Sequence, residues 1–225
     1  MAERLFTAEE LEELGMRSVD AVQKAIDAGD RDKAKGLSRR MYREFQAMHD
    51  LYVGWVTSLL SFIGRRYGDE VLYEALEESC GMWLKPLLEQ YAQATPRRRG
   101  EMLFAGLRGH LQPMKIEEDD EKFTIIMQPC GSGGRLALQG SYEPSGSLLR
   151  IKKPQLMTYW RENFPAYCAH CTFQETIPID LSGAPWLVAF PAQKIGEENC
   201  LTYYYKDPQA VPDEVYRRVN RKKKK

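Results

Sequence analysis

The sequence predicts an α+β protein in which a helical N-terminal half packs on a small mixed α/β C-terminal half. Apolar residues recur at steps of three and four as far as about residue 111, which is the spacing of helices. After residue 114 the apolar period shortens to two, and short strand and helix patterns follow. We therefore expect a helical region over residues 1–113, a cysteine-bearing α/β region over 114–216, and a disordered basic tail over 217–225.

Four helices are predicted in the first half. Thr7 and Glu10 have the spacing of a capping box, which marks the start of the first helix. Pro96 follows Thr95 at the start of the fourth helix, where its fixed φ is favourable. The four helices cover about residues 7–28, 32–67, 70–92 and 95–111.

The second half of the sequence predicts short strands and short helices. Phe123, Ile125 and Met127 alternate with other side chains, as in a half-buried strand. The five acidic residues of 117–121 precede this strand and indicate a solvated hairpin edge that discourages pairing with other molecules. The predicted strands cover about residues 123–127, 136–138, 186–190 and 200–205, and the predicted helices cover about 155–163, 171–182 and a segment that starts at 212.

The composition is that of a soluble globular protein. Of the 225 residues, 43% are hydrophobic and 28% are charged, and Lys+Arg equals Asp+Glu at 32 each. The balanced charge disfavours nucleic acid as a partner, although residues 217–225 are rich in lysine and arginine. The first residues predict no signal peptide, and no apolar stretch is long enough to span a membrane. We expect a cytoplasmic protein with a small-molecule ligand, and the sequence leaves open whether it forms a homodimer.

Four of the five cysteines lie in the second half and predict a metal site. Cys168 and Cys171 form a CxxC pair that contains His170, Cys130 opens a glycine-rich loop, and Cys200 starts a predicted strand. In a reducing compartment such clusters indicate metal binding or catalysis more often than disulfides. Zinc takes tetrahedral thiolate and imidazole ligands, so these residues are its predicted ligands. An iron–sulfur cluster is disfavoured because the spacing matches neither common ferredoxin pattern.

Histidines and a glycine loop complete the predicted site. His49 lies beside an apolar stripe on the second helix, and His110 ends the fourth helix, so either imidazole is a candidate for moving protons. Gly133, Gly134 and Arg135 follow Cys130 and resemble a backbone nest with an arginine for an anionic group, although a tight turn between strands has the same composition. The stripe consists of Met41, Phe45, Met48, Tyr52, Trp55, Leu59 and Phe62.

Three segments together carry a resemblance to a known family. The runs PCGSGGR at 129–135, YCAHC at 167–171 and YKDP at 205–208 resemble an uncharacterised bacterial family, over about residues 40–218. In its layout the chain is also similar to L-2-amino-thiazoline-4-carboxylate hydrolase-like proteins and to 4-vinyl reductase-type domains. This resemblance implies a small organic ligand held near the cysteines.

The leading functional hypothesis is a zinc-dependent hydrolase or lyase that acts on a small anionic molecule. The metal would polarise the substrate or activate a bound water. Two alternatives stay open. One is a non-enzymatic metal or ligand sensor, in which the four cysteines of the second half close a structural site. The other is a metal-free enzyme with Cys168 or Cys171 as the nucleophile and His170 or His110 as the base.

Overall fold

The computed structural model describes residues 5–223. Within those residues it has eight α-helices and a small antiparallel sheet, which confirms the predicted α+β class. The chain separates into two compact units, Met1–Leu51 and Tyr52–Lys225, and the boundary between these units lies inside a helix. Residues 1–4, on which the expectation about a signal peptide rests, lie outside the described residues.

The first unit contains helices α1 (Ala8–Gly15) and α2 (Ser18–Asp27) and the beginning of α3 (Arg31–Tyr67). The predicted capping box is confirmed, because the Thr7 amide donates to the Glu10 carboxylate at 2.7 Å and the Glu10 amide donates to Thr7 Oγ1 at 3.2 Å. The single helix predicted for 7–28 is wrong. Met16 and Arg17 have extended backbone and divide it in two, while the apolar spacing continues through the break.

Helices α4 (Asp69–Gln93) and α5 (Pro96–Arg108) belong to the second unit and agree with the prediction to within a few residues. The apolar face of α4 enters the core, where Leu72, Leu76 and Leu84 are almost fully buried. Cys80 lies on this face and is the one cysteine of the first half. The helical period of α4 therefore reports its buried face directly.

The buried face of α3 is not its apolar stripe. In the second unit this helix buries Val53, Thr57, Leu60 and Ser61, whereas the stripe side chains are exposed. The two hydroxyl groups are satisfied inside the helix, because Thr57 donates to the Val53 carbonyl at 2.6 Å and Ser61 donates to the Thr57 carbonyl at 2.7 Å. Polar side chains satisfied in this way can be buried at little cost.

The main sheet is antiparallel, and its strand order places an acidic strand at one edge. The order is β1-β2-β6-β5, and the side chains of β1 after its first residue are exposed, as expected for a solvated edge. In the pairing of β2 with β6, Met127 lies opposite Cys200, so Cys200 is beside the loop that follows β2. The strands are β1 Met114–Glu118, β2 Lys122–Met127, β5 Val188–Phe190 and β6 Cys200–Tyr205, and a separate pair is formed by β3 Arg150–Ile151 and β4 Phe164–Pro165.

Three more helices lie in the second half: α6 (Gly133–Leu138), α7 (His170–Ser182) and α8 (Asp213–Arg218). The strand predicted at 136–138 is wrong, because the Leu136 amide donates to the Ser132 carbonyl at 3.0 Å as the first turn of α6 forms. The helix predicted at 155–163 is also wrong. Only a 3₁₀ turn forms there, and it ends where Tyr159 adopts a positive φ.

Helix α7 lies at the centre of the second unit. It contacts both α4 and β5, and Phe173 is fully buried in the core cluster that these elements share. Among residues 5–223, no helix has the length and apolar character needed to cross a membrane. The core therefore fixes the start of α7, where Cys171 lies, against the sheet.

The prediction of a disordered tail is wrong for residues 217–223. Val219 is fully buried, and Arg221 contacts Asp180 of α7 through two hydrogen bonds of 2.6 and 2.7 Å. Lys223 donates to two backbone carbonyls. Residues 224 and 225 lie outside the part of the chain that the structure describes.

Candidate functional site

The loop between β2 and α6 holds Cys130 in a tightly packed turn. The amide of Gly131 donates to Gln112 Oε1 at 2.7 Å, and a β-carbon at Gly131 would collide with the His110 carbonyl oxygen. A β-carbon at Gly133 would lie 2.5 Å from the sulfur of Cys168. These two glycines allow the loop to approach its neighbours closely, as only glycine can.

The sulfur of Cys130 faces backbone amides. Burial raises the pKa of this thiol, while the amides of Gly134, Ser132 and Gly133 act in the opposite direction. Successive amides that face one atom form an anion-binding nest. In this structure these amides face the sulfur of Cys130, and the binding of an anionic group by Gly133, Gly134 and Arg135 stays a prediction.

The CxxC segment spans the junction of a 3₁₀ turn and α7. Residues Ala166–Ala169 form the turn, and His170 is the first residue of the helix. His170 Nδ1 lies 2.5 Å from the carbonyl oxygen of Tyr167. Because a carbonyl oxygen only accepts hydrogen bonds, Nδ1 carries the proton and Nε2 keeps its lone pair. Burial lowers the pKa of His170, so the ring is neutral.

His170 Nε2 lies 3.9 Å from the sulfur of Cys171. The imidazole of His170 and the thiol of Cys171 are therefore close to each other. At the start of β6, Cys200 accepts a hydrogen bond from the Ala192 amide at 3.4 Å. The positions of the His170 and Cys200 side chains are thus set by contacts with the backbone.

One cavity of about 70 Å³ is lined by all four cysteines of the second half. His110, His170 and Gly134 also line it, so seven of the site residues predicted from the sequence share one space. The remaining surface is mainly apolar, with a few polar side chains such as Gln174 and Thr202. The apolar residues are Leu107, Met127, Leu187, Ala189, Pro191, Ile195 and Leu201.

The four thiols are neutral in this environment. Burial raises the pKa of Cys171 and of Cys200 to about 12. Burial also raises the pKa of Cys168, and the neighbouring sulfurs of Cys171, Cys130 and Cys200 raise it further, because two thiolates would repel each other. The cavity thus holds protonated sulfurs that need a cation to ionise together.

The predicted ligands do not form a finished metal site. Within residues 5–223, no group of three or more His, Cys, Asp or Glu side chains is arranged to hold a metal ion. The sulfurs line one cavity but do not converge on one point. Zinc binding as predicted would require some of these side chains to change rotamer.

The predicted catalytic and anion-binding residues have defined neighbours. His110 Nδ1 lies 2.6 Å from Ser132 Oγ, which fixes its ring at the cavity. Arg135 donates from Nη2 to the His110 carbonyl oxygen at 3.1 Å. His49 lies in the first unit, where its Nδ1 is 3.0 Å from a carboxylate oxygen of Asp50. The roles predicted for these three residues stay predictions.

Sequence reasoning missed two residues that support the site. Gln112 contacts the loop through Gly131, and its Nε2 donates to the Leu107 carbonyl at 2.7 Å. Glu175 is fully buried one turn after Cys171 and is paired with Arg218. The sequence contained a signal for Glu175, because it is the one acidic residue in the run Thr172–Ile179 and a charge in a buried segment requires a partner.

The fold and site define an α+β protein with a buried, thiol-lined cavity beside the start of α7. No protein-family model matches the chain, and neither the curated proteins nor the solved structures include a significant match.

Proposed function

We propose that the protein is a metal-dependent hydrolase or lyase, with zinc as the metal, that acts on a small organic molecule. The observation that carries this proposal is that four thiols and two imidazoles line one cavity. A single nucleophile would account for one cysteine, whereas a soft divalent cation accounts for several.

The electrostatics of the cavity support a cation. Burial keeps the thiols of Cys168, Cys171 and Cys200 protonated without one, and repulsion from neighbouring sulfurs adds to this effect at Cys168 and Cys200. A bound Zn²⁺ would replace those protons and compensate the charge of the thiolates. Among the described residues that line the cavity, none is a lysine or an arginine that could do so instead.

His170 has the arrangement expected of a metal ligand. Its Nδ1–H is held by a backbone carbonyl, as in most metal-binding histidines, so Nε2 is available. The 3.9 Å separation between Nε2 and the Cys171 sulfur is close to the edge of about 3.6 Å that tetrahedral Zn–S and Zn–N bonds imply. Cys171 and His170 are therefore the first pair of the proposed site, and rotation of one further thiol, that of Cys168 or Cys130, would supply the third ligand.

A site with three protein ligands would leave a position for water or substrate. The metal would supply Lewis-acid activation there. His110, fixed by Ser132, would carry a proton at the cavity wall, and the apolar lining would exclude bulk water. The substrate class that fits is a small molecule with an apolar body and one carbonyl or carboxylate group.

Metal analysis of protein purified without chelators tests this proposal. We expect about one equivalent of zinc per chain, and loss of most of it in Cys171→Ser. Cys80→Ser is the matched control, because Cys80 is a buried cysteine on α4 that does not line the cavity. Less than about a tenth of an equivalent of any transition metal in the wild type would overturn the proposal.

Cobalt substitution separates an enzyme site from a closed sensor site. If four thiolates, including that of Cys200, bind the metal, no coordination position is left open. A Co²⁺ ion bound by His170 and fewer thiolates, with one open position, would have a different visible absorption spectrum from a Co²⁺ ion bound by four thiolates. An unchanged cobalt spectrum in Cys200→Ser would support the open site. A spectrum that shifts in Cys200→Ser but not in His170→Asn would favour a structural four-cysteine site.

A second candidate function is a metal-free cysteine enzyme, in which Cys130 would be the nucleophile because three backbone amides oppose the rise in its pKa that burial causes. Labelling of metal-free protein with iodoacetamide, followed by peptide mass spectrometry, tests this. Preferential modification of Cys130 over Cys171 and Cys80 would support it. Equal, slow modification of all three thiols would count against it.

A further inference from the structure

The apolar stripe of α3 lies on the protein surface. The exposed fraction is 52% for Tyr52, 59% for Trp55, 52% for Leu59 and 58% for Phe62. Met41, Phe45 and Met48 continue the same spacing towards the N-terminus and are also exposed. These seven residues, the α3 stripe, are too many large apolar side chains for an ordinary monomer surface.

The spacing of the α3 stripe is that of a coiled-coil seam. The steps between successive members alternate between four and three over 22 residues, from Met41 to Phe62. A strict repeat of seven keeps one seam facing a partner helix along its whole length, whereas an ordinary surface helix shows the looser period of 3.6. The pattern thus indicates a second helix.

The face of α3 that packs in the core of the second unit is a different one. Val53, Thr57 and Leu60 are buried, and a β-carbon at Gly64 would collide with the Leu149 side chain. The stripe therefore does not contribute to the core of the second unit, and packing in that core does not account for its apolar pattern.

The area of the stripe fits a stable dimer. An aromatic side chain presents about 150–250 Å². If the seven large side chains are each taken as about that size and half exposed, they offer roughly 500–900 Å² per copy, compared with about 800 Å² per partner in a standard interface. The flanking exposed Leu51 and Val56 extend the surface further.

We propose that the α3 stripe is a homodimer interface in which α3 pairs antiparallel with α3 of a second copy. The seam has Glu44 beside one end and Arg65 beside the other. An antiparallel pair brings Glu44 of one copy to Arg65 of the other, whereas a parallel pair keeps these opposite charges at opposite ends of the seam. In the matching register, Trp55 packs against the partner's Tyr52, and Phe45 packs against the partner's Phe62.

The molar mass in solution tests the dimer. Light scattering on the full chain should give about twice the monomer mass of 25.9 kDa. Trp55→Glu combined with Leu59→Glu should reduce the mass to that of the monomer without changing the helical circular dichroism. Met82→Glu is the control, because Met82 is 76% exposed on α4, outside the stripe, and should leave the dimer intact. A monomeric wild type at micromolar concentration would overturn the proposal.

The distance between two spin labels tests the orientation. A label on Arg66→Cys, at an exposed position, should give a separation of about 40 Å between copies, since 1.5 Å per residue separates each label from the dimer axis. In a parallel dimer the two labels would lie side by side on the paired helices, at a separation of about 10 Å. That short distance would overturn the antiparallel arrangement.

Discussion

Arg218 Nη2 donates to both carboxylate oxygens of Glu175, each at 2.7 Å, deep inside the second unit. The same nitrogen donates to the Ala189 carbonyl at 2.9 Å, and the guanidinium lies 4.3 Å from the ring centre of Phe190. Glu175 also accepts hydrogen bonds from the Ala189 amide and from Tyr159. The pair ties α8 to α7 and β5, behind the cysteine-lined cavity.

Removal of Arg218 should strongly destabilise the fold. Burial raises the pKa of Glu175 to about 7, and Arg218 opposes this effect. Arg218→Met leaves the carboxylate buried without its charge partner, so we expect the free energy of unfolding to fall by about 3–5 kcal/mol in urea titrations at neutral pH. The double variant with Glu175→Gln should recover part of this loss.

Arg221→Ala is the control for that experiment. Its partner Asp180 is about half exposed, so the loss should stay below about 1 kcal/mol. Equal losses of unfolding free energy in the two arginine variants would show that the buried Arg218–Glu175 pair stabilises the fold no more than the Arg221–Asp180 pair does.

Gly133→Ala should disturb the cavity. Its β-carbon would lie 2.5 Å from the Cys168 sulfur, so Cys168 or the loop must move. We expect a destabilisation of about 1–3 kcal/mol by thermal or urea unfolding, together with reduced metal content. Gly106→Ala, in the interior of α5 with open space around the position, should instead be neutral or gain up to about 1 kcal/mol. An unchanged stability for Gly133→Ala would contradict the packing described for the loop.

The stability of the reduced protein should fall at alkaline pH because of Cys80. Burial raises the pKa of this thiol from 9.0 to about 12, so between these values the folded state holds a proton that the unfolded state has lost. The free energy of unfolding therefore decreases as the pH rises through this range. Between pH 9 and 10 the wild type should lose about 1 kcal/mol more than Cys80→Ala in urea titrations. Parallel pH profiles would contradict the assignment.

Leu60→Ala tests which face of α3 belongs to the core. Leu60 is 7% exposed, so the substitution should cost about 2–5 kcal/mol of unfolding free energy. Met82→Ala removes a similar volume at an exposed position and should change stability by no more than about 0.5 kcal/mol. A small effect at Leu60 would mean that α3 packs through another face.

Most of the helices could be predicted because their signals are local. The capping box at Thr7 and the Thr95–Pro96 start depend on neighbouring residues only. Short elements were harder: the two leucines at 136 and 138 have strand spacing, yet six residues carry too little pattern to separate a strand from one helical turn. The break at Met16 was hidden because the apolar period continues through it.

The sequence by itself determined the fold class, the limits of the long helices and the identity of the cysteines and histidines that meet in the second half. Only the tertiary structure decided that Cys130, Cys168, Cys171 and Cys200 line one cavity, because that depends on the pairing of β2 with β6 and on the packing of α7. It also decided that α3 buries its hydroxyl-bearing face and leaves its apolar stripe exposed. Periodicity shows that a helix has an apolar face, but the neighbours that cover a face come from distant parts of the chain.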